Sequence, residues 1–278
     1  MKITWNLRGR LTQWDGPVVM GILNATPDSF HARSRVDAEA AVDRAGRMLE
    51  EGAAMIDVGG MSSRPGAEAV SEQAELDRIL PVLSAIRKAF PEAVLSVDSY
   101  RSGVAREAVH AGALVVNDIS AGLLDEDMLS TVAGLKVPYI LMHMQGKPAT
   151  MQDAPNYTDV RGEVLHHLSL RMQAAQEAGI ADVIIDPGFG FGKEVRHNYA
   201  LLAGLASFTV LEVPLLVGLS RKRMICSPLG ITADEALNGS TVLHTIALLK
   251  GASILRVHDV GPAVETIALV REMDRWGG

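Results

Sequence analysis

Cysteine is almost missing from this chain. Cys226 is the only one, which excludes a disulfide framework and a thiolate metal site. A lone thiol is expected to be inert in a reducing compartment, so a cytoplasmic location is expected. Aromatic residues are scarce at 4%, the formal net charge is -7, and no run of basic residues is interleaved with aromatics, so no nucleic-acid partner is expected. Long hydrophobic runs are lacking too: none approaches membrane-spanning length, and residues 1–6 have no signal-peptide core, so no membrane association is expected. No two histidines have metal-ligand spacing and no acid–base–nucleophile series emerges, which disfavours a zinc hydrolase or a Ser/His/Asp enzyme.

What is present is a hydrophobic content of 48% over 278 residues, ample for one large core. The organising stretch is Val183-Ile184-Ile185-Asp186-Pro187-Gly188-Phe189-Gly190-Phe191-Gly192-Lys193. A short apolar run ends in a carboxylate, and a glycine-rich loop follows. It is not a Walker-type phosphate loop, because only three residues separate Gly188 from Gly192 and Glu194 follows the lysine.

Seven other apolar runs end the same way. Strands are expected over 18–23, 54–58, 94–97, 114–116, 139–142, 183–185, 215–219 and 254–257. Helical periodicity follows near 37–51, 71–89, 101–111, 122–134, 158–178, 195–206, 232–250 and 261–274. Ser71 suits a helix start, and Gly52, Gly112, Gly179 and Gly251 suit helix stops. Eight such units in this length predict a single (β/α)8 TIM barrel, an α/β fold, over residues 1–278. Alternation over residues 2–16 makes residues 1–17 a short N-terminal hairpin extension.

In a (β/α)8 barrel the C-terminal strand ends share one face. The set here is Asn24, Asp57, Asp98, Asn117 with Asp118, His143, Asp186, Ser220 with Arg221 and Lys222, and Arg256 with His258. The first six strands supply hydrogen-bond acceptors and the last two supply cations. A cationic corner at strands seven and eight suits phosphate, and an acceptor-rich middle suits a planar ring bearing N–H donors. The implied substrate is bipartite. Asp57 and Asp118 serve equally well as caps or loop braces, and His143 equally well as a core residue. The loops 24–35 and 59–67 are longer than a connection needs, which suits lids.

Eight motifs in order resemble dihydropteroate synthase, a pterin-binding barrel family. They are Gly21-Ile22-Leu23-Asn24-Ala25-Thr26-Pro27-Asp28-Ser29-Phe30, Ser63-Arg64-Pro65-Gly66-Ala67, Ser96-Val97-Asp98-Ser99-Tyr100, Asn117-Asp118-Ile119, Leu141-Met142-His143-Met144, Asp186 to Lys193, Ser220-Arg221-Lys222, and Arg256-Val257-His258-Asp259-Val260. The resemblance implies a transferase that condenses a dihydropterin methyl diphosphate with p-aminobenzoate in folate biosynthesis, by diphosphate loss followed by arylamine attack. It implies that Asp98, Asn117, Asp186 and Lys222 hold the pterin. Asn24, Arg64, Arg256 and His258 are implied to hold the diphosphate, with Mg2+ at Asn24. Phe30, Ser63, Arg64, Pro65 and Ser220 are implied to line the p-aminobenzoate pocket. No residue is implied to act as nucleophile or acid/base; Asn24, Arg256 and His258 are implied to act by positioning and charge stabilisation.

The chain departs from the family pattern at Met61, where glutamate is usual, at Ser63 and Ser99, where threonine is usual, and at His31-Ala32-Arg33-Ser34. The alternatives are a non-synthesising pterin-binding paralogue and a pterin-dependent methyltransferase of the same barrel family. The apolar patterns over 232–250 and 261–274 exceed what an outer barrel helix needs, and the resemblance implies a homodimer through them.

Overall fold

The chain opens with an antiparallel hairpin of β1 (Lys2–Leu7) and β2 (Arg10–Asp15). In this computed structural model, which describes residues 2–25, 35–61, 70–148, 150–151 and 155–277, the hairpin is followed by a ring of eight parallel strands. These are β3 (Val18–Asn24), β4 (Met55–Gly59), β5 (Leu95–Asp98), β6 (Val115–Asp118), β7 (Tyr139–Met142), β8 (Val183–Asp186), β9 (Leu216–Val217) and β10 (Ile254–Val257). The sheet order is β8-β7-β6-β5-β4-β3-β10-β9. A single bridge between Ile185 and Leu215 joins its two edges, supported by the Ile185 N–H donating to Pro214 O at 3.0 Å.

Strands covered on both faces must be apolar throughout, so each is a short continuous run rather than an alternating one. Met20, Met55, Val94, Val115, Ile140, Ile184, Leu216 and Ile254 fill the lower interior of the ring. The hairpin's buried face, Ile3, Trp5 and Leu7, packs onto this cluster and stoppers the N-terminal end of the barrel. Access to the interior is therefore from the strand C-terminal ends.

Helices α1 (Arg35–Glu50), α2 (Glu72–Ala89), α3 (Ser102–His110), α4 (Met128–Leu135), α5 (Val160–Glu177), α6 (Val195–Ala203), α7 (Arg223–Leu229), α8 (Leu237–Leu249) and α9 (Val260–Trp276) surround the strands. Ser71 caps α2 by accepting from Ala74 N at 3.2 Å. Gly52, Gly112, Gly179 and Gly251 all have positive φ just past helix ends, a conformation that costs a side chain energy.

Three expected elements differ. The helix expected over 122–134 begins only at Met128, because Asp118 holds the preceding residues in a turn, accepting from Ser120 N and Gly122 N at 2.7 Å each. The strand expected over 215–219 is reduced to Leu216–Val217 at the seam of the barrel. The helix expected over 232–250 starts at Leu237, and a separate α7 precedes it. No helix among the described residues is long and apolar enough to cross a membrane.

Candidate active site

The parallel register lines up the rim residues. Asn24 pairs with Gly59, Gly59 with Asp98 and Asp98 with Asn117, while Met142 pairs with Asp186. Strand ends distant in the chain thus become lateral neighbours.

Arg256, on β10, reaches past β3 to the carboxylates of β4 and β5. Its Nε donates to Asp57 Oδ2 at 2.6 Å and its Nη2 to Asp98 Oδ2 at 2.6 Å. Asp57 is fully buried, and its Oδ2 also accepts from Asn117 Nδ2 at 2.9 Å. Two donors from opposite sides converge on one oxygen, a strong charge-assisted arrangement. Burial pushes Asp98 up to about 7 against the pull of Arg256, and the two carboxylates hold Arg256 above its ordinary value despite burial.

A second group lies at the end of β8. Asp186 is buried, and its Oδ1 accepts from Gly188 N at 2.8 Å. Burial raises its pKa, with Lys222 opposing. Lys222, the residue before α7, donates to Phe189 O and lies 4.9 Å from the Phe191 ring centroid. Burial lowers it to about 8, with Asp186 opposing. Ser220 is buried and accepts from His258 N at 3.3 Å. His258 is pushed down to about 4 by burial and by Arg256, so its ring is neutral near pH 7 and offers a hydrogen bond rather than a charge. Asn24 is half-buried at the tip of β3.

The structure thus brings Asp98, Asn117, Asp186, Lys222, Arg256, His258, Ser220 and Asn24 to one face. The cationic pair expected at strands seven and eight is divided, however. Arg221 donates twice to Asp259, at 2.8 Å each, and to the carbonyls of Ala233 and Asp234, so it braces the α7–α8 connection. Asp118, which accepts from Ser120, Gly122 and the Tyr139 hydroxyl, is a loop brace. Phe30, Ser63, Arg64 and Pro65 lie outside the described residues, as do most of the two long loops. The two stems of the second loop share one guanidinium: Arg101 donates to Val70 O at 2.5 Å, contacts Met61 Sδ at 3.5 Å and pairs with buried Glu75.

Two residues acquire roles that sequence reasoning did not give them. Asp57 links Arg256 to Asn117, which its place in an apolar run only hinted at. Lys193 is buried beneath the glycine-rich loop, with His143 Nδ1 and Gly188 O each 2.9 Å from its Nζ; its position closing the motif was the one available signal. Burial lowers Lys193 to about 7 and His143 to about 2, the latter helped by the Lys193 charge.

A family model described as pterin binding enzyme matches residues 20–258. The chain is 47% identical over 260 residues to dihydropteroate synthase of Escherichia coli (strain K12), covering 91% of this chain and 90% of that one. This chain belongs to the dihydropteroate synthase family. Its fold is similar to that family's enzyme from Yersinia pestis, solved as a sulfonamide drug complex, with a TM-score of 0.92, 41% identity, and 98% of this chain and 100% of that one covered. The Xanthomonas albilineans member, in complex with 7,8-dihydropteroate, superposes with a TM-score of 0.87 at 40% identity, covering 98% of this chain and 99% of that one. Family membership makes the chain a transferase of folate synthesis, and the rim described above is where its reaction must be housed.

Proposed function

We propose that the rim joins a 6-hydroxymethyl-7,8-dihydropterin diphosphate to p-aminobenzoate, giving 7,8-dihydropteroate and diphosphate. The observation that carries this reading is the convergence of Asp98, Asn117 and Asp186, with Lys222 beside them, at one mouth of the barrel. A pterin edge presents N–H donors that suit the two carboxylates, and its carbonyl suits the Lys222 ammonium. Asn24, Arg64, Arg256 and His258 hold the diphosphate, and Phe30, Ser63, Arg64, Pro65 and Ser220 line the arylamine pocket.

The C–O bond to diphosphate breaks first, and the electron pair leaves with the oxygen. The positive charge left on the pterin methylene is delocalised into the ring, where the Asp98 and Asp186 carboxylates stabilise it. The arylamine nitrogen then forms the C–N bond and sheds one proton. Catalysis is positioning and charge stabilisation, with no side-chain nucleophile.

Among the described residues no three His, Cys, Asp or Glu side chains form a metal cluster, but the Asn24 amide oxygen suits Mg2+, which takes few protein ligands and completes its shell with phosphate oxygens and water. Held there, Mg2+ supplies charge neutralisation on the departing oxygens. The exposed apolar residues Val242 and Leu249 on α8 and Leu269, Met273 and Trp276 on α9 support a two-fold dimer that leaves the rim open. A cytoplasmic setting fits the single free cysteine.

The test is a steady-state assay with the pterin diphosphate and p-aminobenzoate. Stoichiometric release of diphosphate with formation of dihydropteroate is expected; tight pterin binding without turnover overturns the reading.

A further inference from the structure

One buried lysine is left without a part in the chemistry above. Lys193 is 3% exposed, and among the described residues it forms no ion pair within 4 Å. Its Nζ lies 2.9 Å from Gly188 O, 3.0 Å from Phe191 O and 2.9 Å from His143 Nδ1, with His143 O further off at 3.4 Å. Three short contacts match the three N–H bonds of an ammonium, which offsets part of the cost of burying it. For His143 Nδ1 to accept, the imidazole proton must sit on Nε2.

The backbone is shaped to meet this lysine. Gly188, Gly190 and Gly192 all have positive φ, at 70°, 84° and 57°, which turns carbonyls of the loop inward. A methyl group on Gly188 would sit 2.0 Å from His143 O, and one on Gly192 would sit 2.6 Å from Gln145 O, so the loop lies tight against residues 143–145. The same loop supplies both partners of the ring-binding groups. Gly188 N donates to Asp186, and Phe189 O accepts from Lys222. Lys193 holds the carbonyls of Gly188, itself one of these partners, and of Phe191, two residues past the other.

We propose that Lys193 is the positioning residue of the ring-binding half of the site: by gathering the Gly188 and Phe191 carbonyls from beneath, it sets the orientation of Asp186 through Gly188 N and of Lys222 through Phe189 O. It acts on the pterin through those two side chains and does not touch it. This role rests on the function proposed above. Of the diphosphate groups, Arg256 is held by Asp57 and Asp98 and the His258 N–H by Ser220, partners that lie outside this loop, so the effect of removing the lysine falls on the other half of the substrate.

The experiment is calorimetry on the full-length chain, with 6-hydroxymethylpterin and inorganic pyrophosphate as separate probes, for wild type, Lys193→Met, Asp186→Asn and the double variant. Urea unfolding of each shows whether it is folded. Folded Lys193→Met is expected to bind the pterin at least tenfold more weakly, to bind pyrophosphate within threefold of wild type, and to reduce the effect of Asp186→Asn to less than a third of its wild-type fold-change, since Asp186 is already misplaced. A smaller loss of pterin affinity, an equal loss on both probes, or full additivity overturns the proposal. Where Lys193→Met does not fold, Lys193→Gln, whose amide cannot satisfy all three acceptors, is judged by the same thresholds. Wild type that fails to bind the pterin at all defeats the function reading itself, whereas wild-type binding with an unaffected variant defeats only the role of Lys193.

Discussion

Arg256 Nε lies 2.6 Å from Asp57 Oδ2, although the two residues are 199 positions apart. Asn117 Nδ2 donates to the same oxygen at 2.9 Å, so one buried carboxylate orients a proposed diphosphate ligand and a proposed pterin ligand together. The pair bridges β10 and β4, the two neighbours of β3, and ties the two halves of the site to a common frame.

Asp57→Asn is expected to break that frame. An amide can keep its one oxygen toward both donors, with its NH2 where Asp57 Oδ1 has no partner among the described residues, so what is lost is the negative charge that pairs the buried Arg256 guanidinium. We expect a loss of about 2 to 4 kcal/mol in stability, typical of breaking a buried pair, and a fall in kcat/KM of roughly a hundredfold, about 2.7 kcal/mol of transition-state stabilisation. Urea melts and steady-state kinetics measure the two. A fall in kcat/KM of less than about threefold, well under the 1.4 kcal/mol of one decade, would show that Asp57 is only packing.

Asp186→Asn is expected to leave the fold intact and abolish tight pterin binding. One carboxylate oxygen already accepts from Gly188 N, and the ring offers only donors to the other, so the amide NH2 meets a donor. Calorimetry with a pterin analogue reads the change. Affinity within about threefold of wild type, well under the 1.4 kcal/mol of a tenfold loss, contradicts the assignment.

Pterin affinity should weaken as pH falls through neutrality. Burial holds Asp98 near 7 in the free protein, and a ring bearing N–H donors needs the ionised form. Protonation of Asp98 therefore competes with binding as pH falls through about 7, while Lys222, held near 8, gains its ammonium over the same range and offsets about twofold of the loss, leaving roughly a fivefold fall from pH 8 to pH 6. Titrations at the two values decide it. A flat profile means that Asp98 is ionised throughout or does not face the ring.

His244 links stability to pH away from the site. It is buried on α8 with no partner for Nε2 among the described residues, and burial lowers it to about 4. Its folded pKa lies below the unfolded value, so the unfolded state takes up the proton first as pH drops below about 6.5, and stability is lost down to about pH 4. Replacing it with leucine should reduce the stability difference between pH 7.5 and pH 5 by on the order of 1 to 2 kcal/mol. Urea midpoints for the two proteins at both values test this; an unchanged difference assigns the pH dependence to other groups.

Assembly is tested by sedimentation. The dimer proposed through α8 and α9 runs at twice the chain mass of 29.7 kDa, and Leu269→Glu, which puts a charge at an outward apolar position, shifts it to the monomer with turnover per chain retained. A wild-type monomer at micromolar concentration refutes the dimer.

Much of this architecture was legible in the chain itself. A strand buried on both faces must be a short apolar run, and the run must stop where the backbone leaves the barrel, so the polar residues after eight such runs mark one rim. The positions of Asp98, Asn117, Asp186 and Lys222 on that rim follow from this rule, as do the helix stops at Gly52, Gly112, Gly179 and Gly251, where a positive φ is needed.

What only the tertiary structure decided is which charged group faces which. Asp118 and Asp186 both end apolar runs, yet one is consumed by Ser120, Gly122 and Tyr139 while the other is held at Oδ1 alone among the described residues. Arg221 and Arg256 both follow or end late strands, yet one is locked to Asp259 and the other reaches past β3 to Asp57 and Asp98. Periodicity constrains which face of an element a residue takes, since it arises from local backbone geometry. Partner choice is not local: it depends on barrel closure, which brings β10 beside β3 and its arginine within reach of β4 and β5, and on the burial that makes an unpaired charge there too costly to leave.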